Sequence, residues 1–152
     1  MFRFRPIILG LAALAGAAHV VAVRAGGGEA APSAPVTRWL VAAPLALPPM
    51  IYGSPEASGA AKGALGTDLL DPSDLWPAAG DAVERPPAAP TAWRETACED
   101  GLLPLKAPEA GTAMAYAAAY LDAPRWLKAA LTVTSAQPVA VFVDGKRAAA
   151  RE

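Results

Sequence analysis

The sequence predicts a mainly β protein: an antiparallel jelly-roll-like sandwich, incomplete at its end and preceded by an N-terminal signal or anchor helix. Three observations predict it. Large apolar residues alternate with others through residues 91–96, 113–121, 125–135 and 139–143, the two-residue period of strands. Glu99-Asp100-Gly101 reads as a turn and Asp144-Gly145-Lys146 as a hairpin turn, because both central residues of a type I′ turn need positive φ. Residues 1–6 carry two arginines, and residues 7–23 are uncharged and apolar apart from His19.

That N-terminal order, basic then apolar then the small-residue site Val23-Arg24-Ala25 before Gly26, is the order of a secretory signal peptide. The alternative is an uncleaved anchor, since the 17-residue run (7–23) is near the lower limit for spanning a bilayer. Either way the chain is expected to be exported, periplasmic or extracellular. Residues 26–35 (GGGEAAPSAP) have the composition of a flexible linker. The folded domain is expected over residues 36–152.

A first strand is expected at residues 37–42 around Trp39 and Val41, with Pro44 ending it. Residues 45–90 are irregular and hold half of the 16 prolines; such a stretch wraps a core built elsewhere or forms a binding loop. Within it, residues 60–70 suit a helical turn, with Thr67 or Asp68 as a cap. Residues 71–77 suit a capped turn presenting Trp76, and Gly80-Asp81 a bend. Residues 102–105 suit a short strand. Residues 113–121 fit either period: alanine and the Tyr116/Tyr120 spacing favour a helix, but Met114, Tyr116, Ala118 and Tyr120 also alternate. The strand reading is preferred because a strand follows after a short break. After Asp144-Gly145-Lys146 the remaining residues are alanine-rich and charged, a poor returning strand. That ending suggests the front of a longer protein, or else a short protein closed by a helical cap.

Composition limits the core and the chemistry. Hydrophobic residues make up 54% of 152, but 39 are alanine and 43 are larger. Eleven of the larger ones precede residue 26, leaving 32, enough for one modest domain. Net charge is −1, and −4 once Arg3, Arg5 and Arg24 are set aside, so no basic stripe exists for nucleic acid. His19 is the only histidine and lies in the apolar run, so a Ser or Cys nucleophile would lack its usual base. One cysteine, Cys98, allows no internal disulfide and no zinc site; its neighbours Glu99 and Asp100 should raise its pKa. Asp68, Asp71 and Asp74 are spaced by three, which leaves paired carboxylates for glycoside hydrolysis as one reading and caps of short turns as the preferred one. No catalytic residue, metal ligand or cofactor is expected. Of the four tryptophans, Trp39 and Trp93 read as core. Trp76 and Trp126 are the candidate ligand-binding residues, with polysaccharide as the ligand that would stack on them.

Several segments in order carry a family resemblance. They are Arg38-Trp39-Leu40-Val41 with Gly53, Leu75-Trp76-Pro77 with Gly80-Asp81, and Trp93-Arg94 before Asp100-Gly101. Further on come residues 115–121 and Val141-Phe142-Val143-Asp144-Gly145-Lys146. Together they resemble the galactose-binding or PA14-like leader domain of large exported bacterial hydrolases, closest to exported serine peptidases of the prolyl oligopeptidase family. The resemblance covers most of residues 36–147. It implies a non-catalytic docking or substrate-access module whose partner is a following domain of the same polypeptide or an envelope component. It also implies that the tyrosine strand and the strand ending in Asp-Gly-Lys are neighbours, and that any peptidase domain lies beyond residue 152. The sequence departs from the family at Ala43-Pro44, where glycine commonly precedes the proline. It departs again at Ser135-Ala136-Gln137-Pro138, which stands where a carboxylate pair is common, and that removes the support for a metal or sugar site of the family's kind. A carbohydrate-binding module and a membrane-anchored accessory protein are the competing expectations.

Overall fold

In a strand, alternate side chains face opposite sides, so a strand paired on both edges and apolar on both faces must sit at the centre of a layered structure. The computed structural model describes residues 2–3, 6–14, 19–26, 34–47, 65–66, 69–72, 74–83, 90–105, 112–123 and 130–151. Among these, β1 (Phe2–Arg3), β2 (Ile7–Leu14), β3 (His19–Gly26), β4 (Ala34–Pro35) and β5 (Arg38–Ala46) come first. Next are β6 (Ala82–Val83), β7 (Thr91–Ala92), β8 (Arg94–Ala97) and β9 (Leu102–Leu105). The last are β10 (Thr112–Ala119), β11 (Asp122–Ala123), β12 (Ala130–Ser135), β13 (Val139–Val143) and β14 (Lys146–Arg151). The protein is mainly β and its strand pairs are antiparallel. Helix among the described residues is confined to Leu65 and Gly66.

Six strands form the main sheet in the order β14-β13-β2-β10-β5-β8. In the second sheet β3 is central, with β12 along one edge and β9 and β4 pairing along the other. Two short ribbons, β1–β11 and β6–β7, complete the pairing.

β10 is the strand that both faces converge on. Residues 113–119 are all buried. Met114, Tyr116 and Ala118 face one core together with Ile8, Ala42, Ala140 and Phe142. Ala115, Ala117 and Ala119 face the other, with Ile7, Leu9, Trp39, Val139 and Val141. Leu103 and Leu105 of β9 join that second core, and Leu131 and Val133 of β12 pack against it partly buried, so residues of both sheets share it. The three alanines leave room there for Trp39, which is 1% exposed and donates its Nε1–H to the Val36 carbonyl at 3.2 Å. Burial of Trp39 and Trp93 agrees with their reading as core residues.

Several expectations change. Residues 7–14 form a strand, where a signal or anchor helix was expected. β2 pairs β10 over eight residues and β13 over five, and its Ile8 and Leu9 are buried in opposite cores. An apolar stretch opening on two isoleucines suits a doubly buried strand as well as it suits a targeting segment, and periodicity does not separate the two. Consequently β10 and β13 are not neighbours, as the resemblance implied; β2 lies between them. Ala34–Pro35, expected as linker, pairs with Arg24 and Ala25, while residues 27–33 lie outside the described residues.

β5 continues past Pro44. Ala42 opposes Tyr116 and Leu45 opposes Met114, so β5 carries an extra residue there. A bulge tolerates a residue without an N–H; the Ala43-Pro44 peptide is cis. The alanine-rich tail also returns as strand β14, paired with β13, where a missing partner or a helical cap was expected. The turn between them has Asp144 at φ 52° and Gly145 at φ 73°, which aligns the ladder and outweighs the low strand propensity of alanine. β14 is exposed throughout and carries Lys146, Arg147 and Arg151, charges that discourage pairing at a sheet edge. The Arg151 guanidinium donates to the Ser135 carbonyl, and Ser135 Oγ accepts from the Gln137 amide at 3.1 Å, fixing the β12–β13 crossover.

Two substitutions should separate core filling from backbone freedom. Trp39→Ala should cost about 3–5 kcal/mol in denaturant unfolding. Gly10→Ala should be neutral or stabilising by up to about 1 kcal/mol, since its Cβ would meet Tyr116 Cε1 at 3.6 Å, ordinary contact.

Candidate functional site

The described parts of the proline-rich stretch lie over the first core. Leu47, Leu65, Leu69 and Val83 are buried in it, and Leu70 and Leu75 pack against it. Two tyrosines on one face of the central strand's line hold the stretch in place. The Tyr116 hydroxyl accepts the Leu70 amide at 3.4 Å, and the Tyr120 hydroxyl donates to the Pro77 carbonyl at 2.9 Å.

Residues 74–81 are further fixed by their own backbone. The Asp74 amide donates to the Asp71 carbonyl at 3.3 Å and the Asp81 amide to the Ala78 carbonyl at 3.1 Å. The Asp81 carboxylate accepts the Ala78 amide at 2.7 Å. Gly80, at φ 92°, donates to the Trp93 carbonyl at 2.8 Å, and Trp93 donates back to Asp81 at 3.0 Å. Pro77 is thereby buried while Trp76, the residue before it, is 49% exposed. A rigid backbone presenting a large exposed indole is the local result.

Trp76 borders an open cleft of about 620 Å³, lined also by Pro77, Tyr120, Leu40, Arg38 and Glu95. Among the lining residues, Arg38 of β5 and Glu95 of β8 form an exposed ion pair, with Nε to Oε1 at 2.8 Å. At 76% and 51% exposure the pair adds less than about 1 kcal/mol to stability. It does place guanidinium donors and a carboxylate in the same cleft as a half-exposed indole. That combination suits a flat, hydroxyl-rich ligand: apolar sugar faces stack on indole while hydroxyls bond charged side chains.

The other candidates lie elsewhere. Trp126, and Asp68 with it, lie outside the described residues. Asp71 and Asp74 are exposed beside the Trp76 loop. Asp144 and Gly145 form the β13–β14 turn, Lys146 opens β14, and none of the three lines the cleft. Cys98 is buried, with Sγ 4.0 Å from the Thr96 carbonyl. Burial pushes its thiol pKa up, so desolvation rather than the neighbouring Glu99 and Asp100 is the cause. Among the described residues no group of three or more His, Cys, Asp or Glu is placed to hold a metal, and no helix is long and apolar enough to cross a membrane.

Sequence reasoning singled out Trp76 but not Tyr120, Arg38 or Glu95. The same-face spacing of Tyr116 and Tyr120 was a usable signal. The Arg38–Glu95 pair had none, because it depends on the β5–β8 register, in which Leu40 opposes Glu95.

No protein-family model matches this sequence, and neither the curated proteins nor the solved structures give a match to it.

Tyr120→Phe should lower stability by about 1 kcal/mol through the lost bond to Pro77. It should also raise acrylamide quenching of the Trp76 fluorescence, read as the emission component that a matched Trp76→Phe variant lacks.

Proposed function

We propose that this chain is a non-catalytic β-sandwich module, jelly-roll-like, that binds polysaccharide in the cleft beside Trp76. The other reading, a non-catalytic docking or substrate-access module at the N-terminal part of a larger exported hydrolase of the serine peptidase type, rests on the resemblance carried by residues 36–147. The observation that carries the binding role is the half-exposed Trp76 on a hydrogen-bonded loop at the wall of the cleft. An indole that served only as core filler would be turned inward, as Trp39 and Trp93 are. Support for a non-catalytic role comes from the sequence, in which His19 is the only histidine, leaving a serine or cysteine nucleophile without its usual base.

Affinity electrophoresis through gels containing different polysaccharides tests the binding role. At least one polysaccharide should retard the protein, and Trp76→Ala should weaken that retardation about tenfold, the scale of one lost aromatic stacking contact. Absence of retardation by any polysaccharide, or retardation unchanged by Trp76→Ala, would count against it.

A further inference from the structure

The N-terminal segment supplies the middle of both sheets. β2 lies between β13 and β10, with Gly10 opposite Ala140 on one side and Tyr116 on the other. β3 lies between β12 and the pair β9 and β4. Because β2 is antiparallel to both of its neighbours, β10 and β13 run parallel to each other. Two strand spacings separate them, about 10 Å. Without β2 they would face each other across an open slot whose edges carry unpaired amides and carbonyls, and whose two faces lead into the two cores. Unpaired backbone groups beside apolar cores are costly, and parallel closure of the gap would shift every residue of one half-sheet.

We propose that the space between β10 and β13 is a strand-acceptor site, whose ligand is the chain's own apolar N-terminal segment, Ile7–Leu14, held whether or not its peptide link to the rest of the domain is intact. The ladders supply affinity, as in other cases where an added strand completes a sheet. Side-chain fit supplies selectivity. At position 10 a Cβ would sit 3.6 Å from Tyr116, 3.8 Å from Met114 and 4.0 Å from Phe142, so the site admits alanine there and excludes a larger residue. At positions 8 and 9 the site buries Ile8 and Leu9 almost completely, one in each core. A cut after Ala25, the site expected for signal removal, would sever this segment and nearly all of β3 from the rest of the domain.

The test uses the full chain carrying a specific protease site between Gly28 and Glu29, folded intact and then cut. The N-terminal piece should co-elute with residues 29–152 in gel filtration. A fluorescent peptide of residues 6–26, which carries both β2 and β3, should exchange into the cut protein. Unlabelled Gly10→Ala peptide should compete as well as the natural peptide, and Gly10→Leu peptide about tenfold less well. In the uncut chain, amides of residues 8–13 should exchange with deuterium as slowly as those of residues 114–118. The proposal fails if the N-terminal piece separates from residues 29–152 after the cut, whether or not those residues keep their strand signal and melting temperature. It fails equally if residues 8–13 of the uncut chain exchange at the rate of unstructured peptide.

Discussion

The described residues are arranged around the double burial of β10. A strand with hydrogen-bonding partners on both edges and apolar cores on both faces has no freedom left, and its sequence must satisfy four neighbours at once. The alternation of Met114, Tyr116 and Ala118 with Ala115, Ala117 and Ala119 does this by size. Small residues on one face let the second sheet, Trp39 and the β9 leucines approach. Larger residues on the other face meet Phe142, Trp93 and the overlying irregular stretch. The chain is rich in alanine, which buries little area but permits close layers, and the few large side chains then carry most of the packing.

From that centre the candidate site follows by hydrogen bonding. Tyr116 and Tyr120 reach the same irregular stretch from the same side, and each makes a bond to its backbone. A segment with little secondary structure of its own is thereby held where Pro77 is covered and Trp76 is not. The cleft is a consequence: the end of the central strand, the pinned loop and the β5–β8 edge with Arg38 and Glu95 line it together. Its shape depends on the core beneath it, so a disturbance at β10 should be felt in the cleft before it is felt at the charged β14 edge.

Much of the β organisation was legible in the sequence, for local reasons. The strand period shows in residues 113–121 and 139–143, and Asp-Gly pairs occupy positions with positive φ at both Asp100-Gly101 and Asp144-Gly145. What was not legible depends on register and on long-range pairing. The apolar run at residues 7–14 has the composition of a targeting segment and also of a doubly buried strand, and only its pairing with β10 and β13 distinguishes them. Pro44 looked like a strand end because a bulge is invisible until both strands are aligned. The tail at residues 146–151 looked like a poor strand because its propensity is poor, yet the turn before it fixes its place. The Arg38–Glu95 pair was hidden because the two residues lie 57 positions apart.

The pairing of β2 with β10 is the claim on which the rest turns, and cysteine cross-linking measures it directly. In a Cys98→Ala background, Ala13→Cys with Ala113→Cys places two thiols on directly opposed residues. Mild oxidation of the folded protein should join them in near-quantitative yield by mass spectrometry, while the slipped pair Ala12→Cys with Ala113→Cys should remain largely reduced. Equal and low yields for the two pairs would contradict the placement of the N-terminal segment at the centre of the sheet.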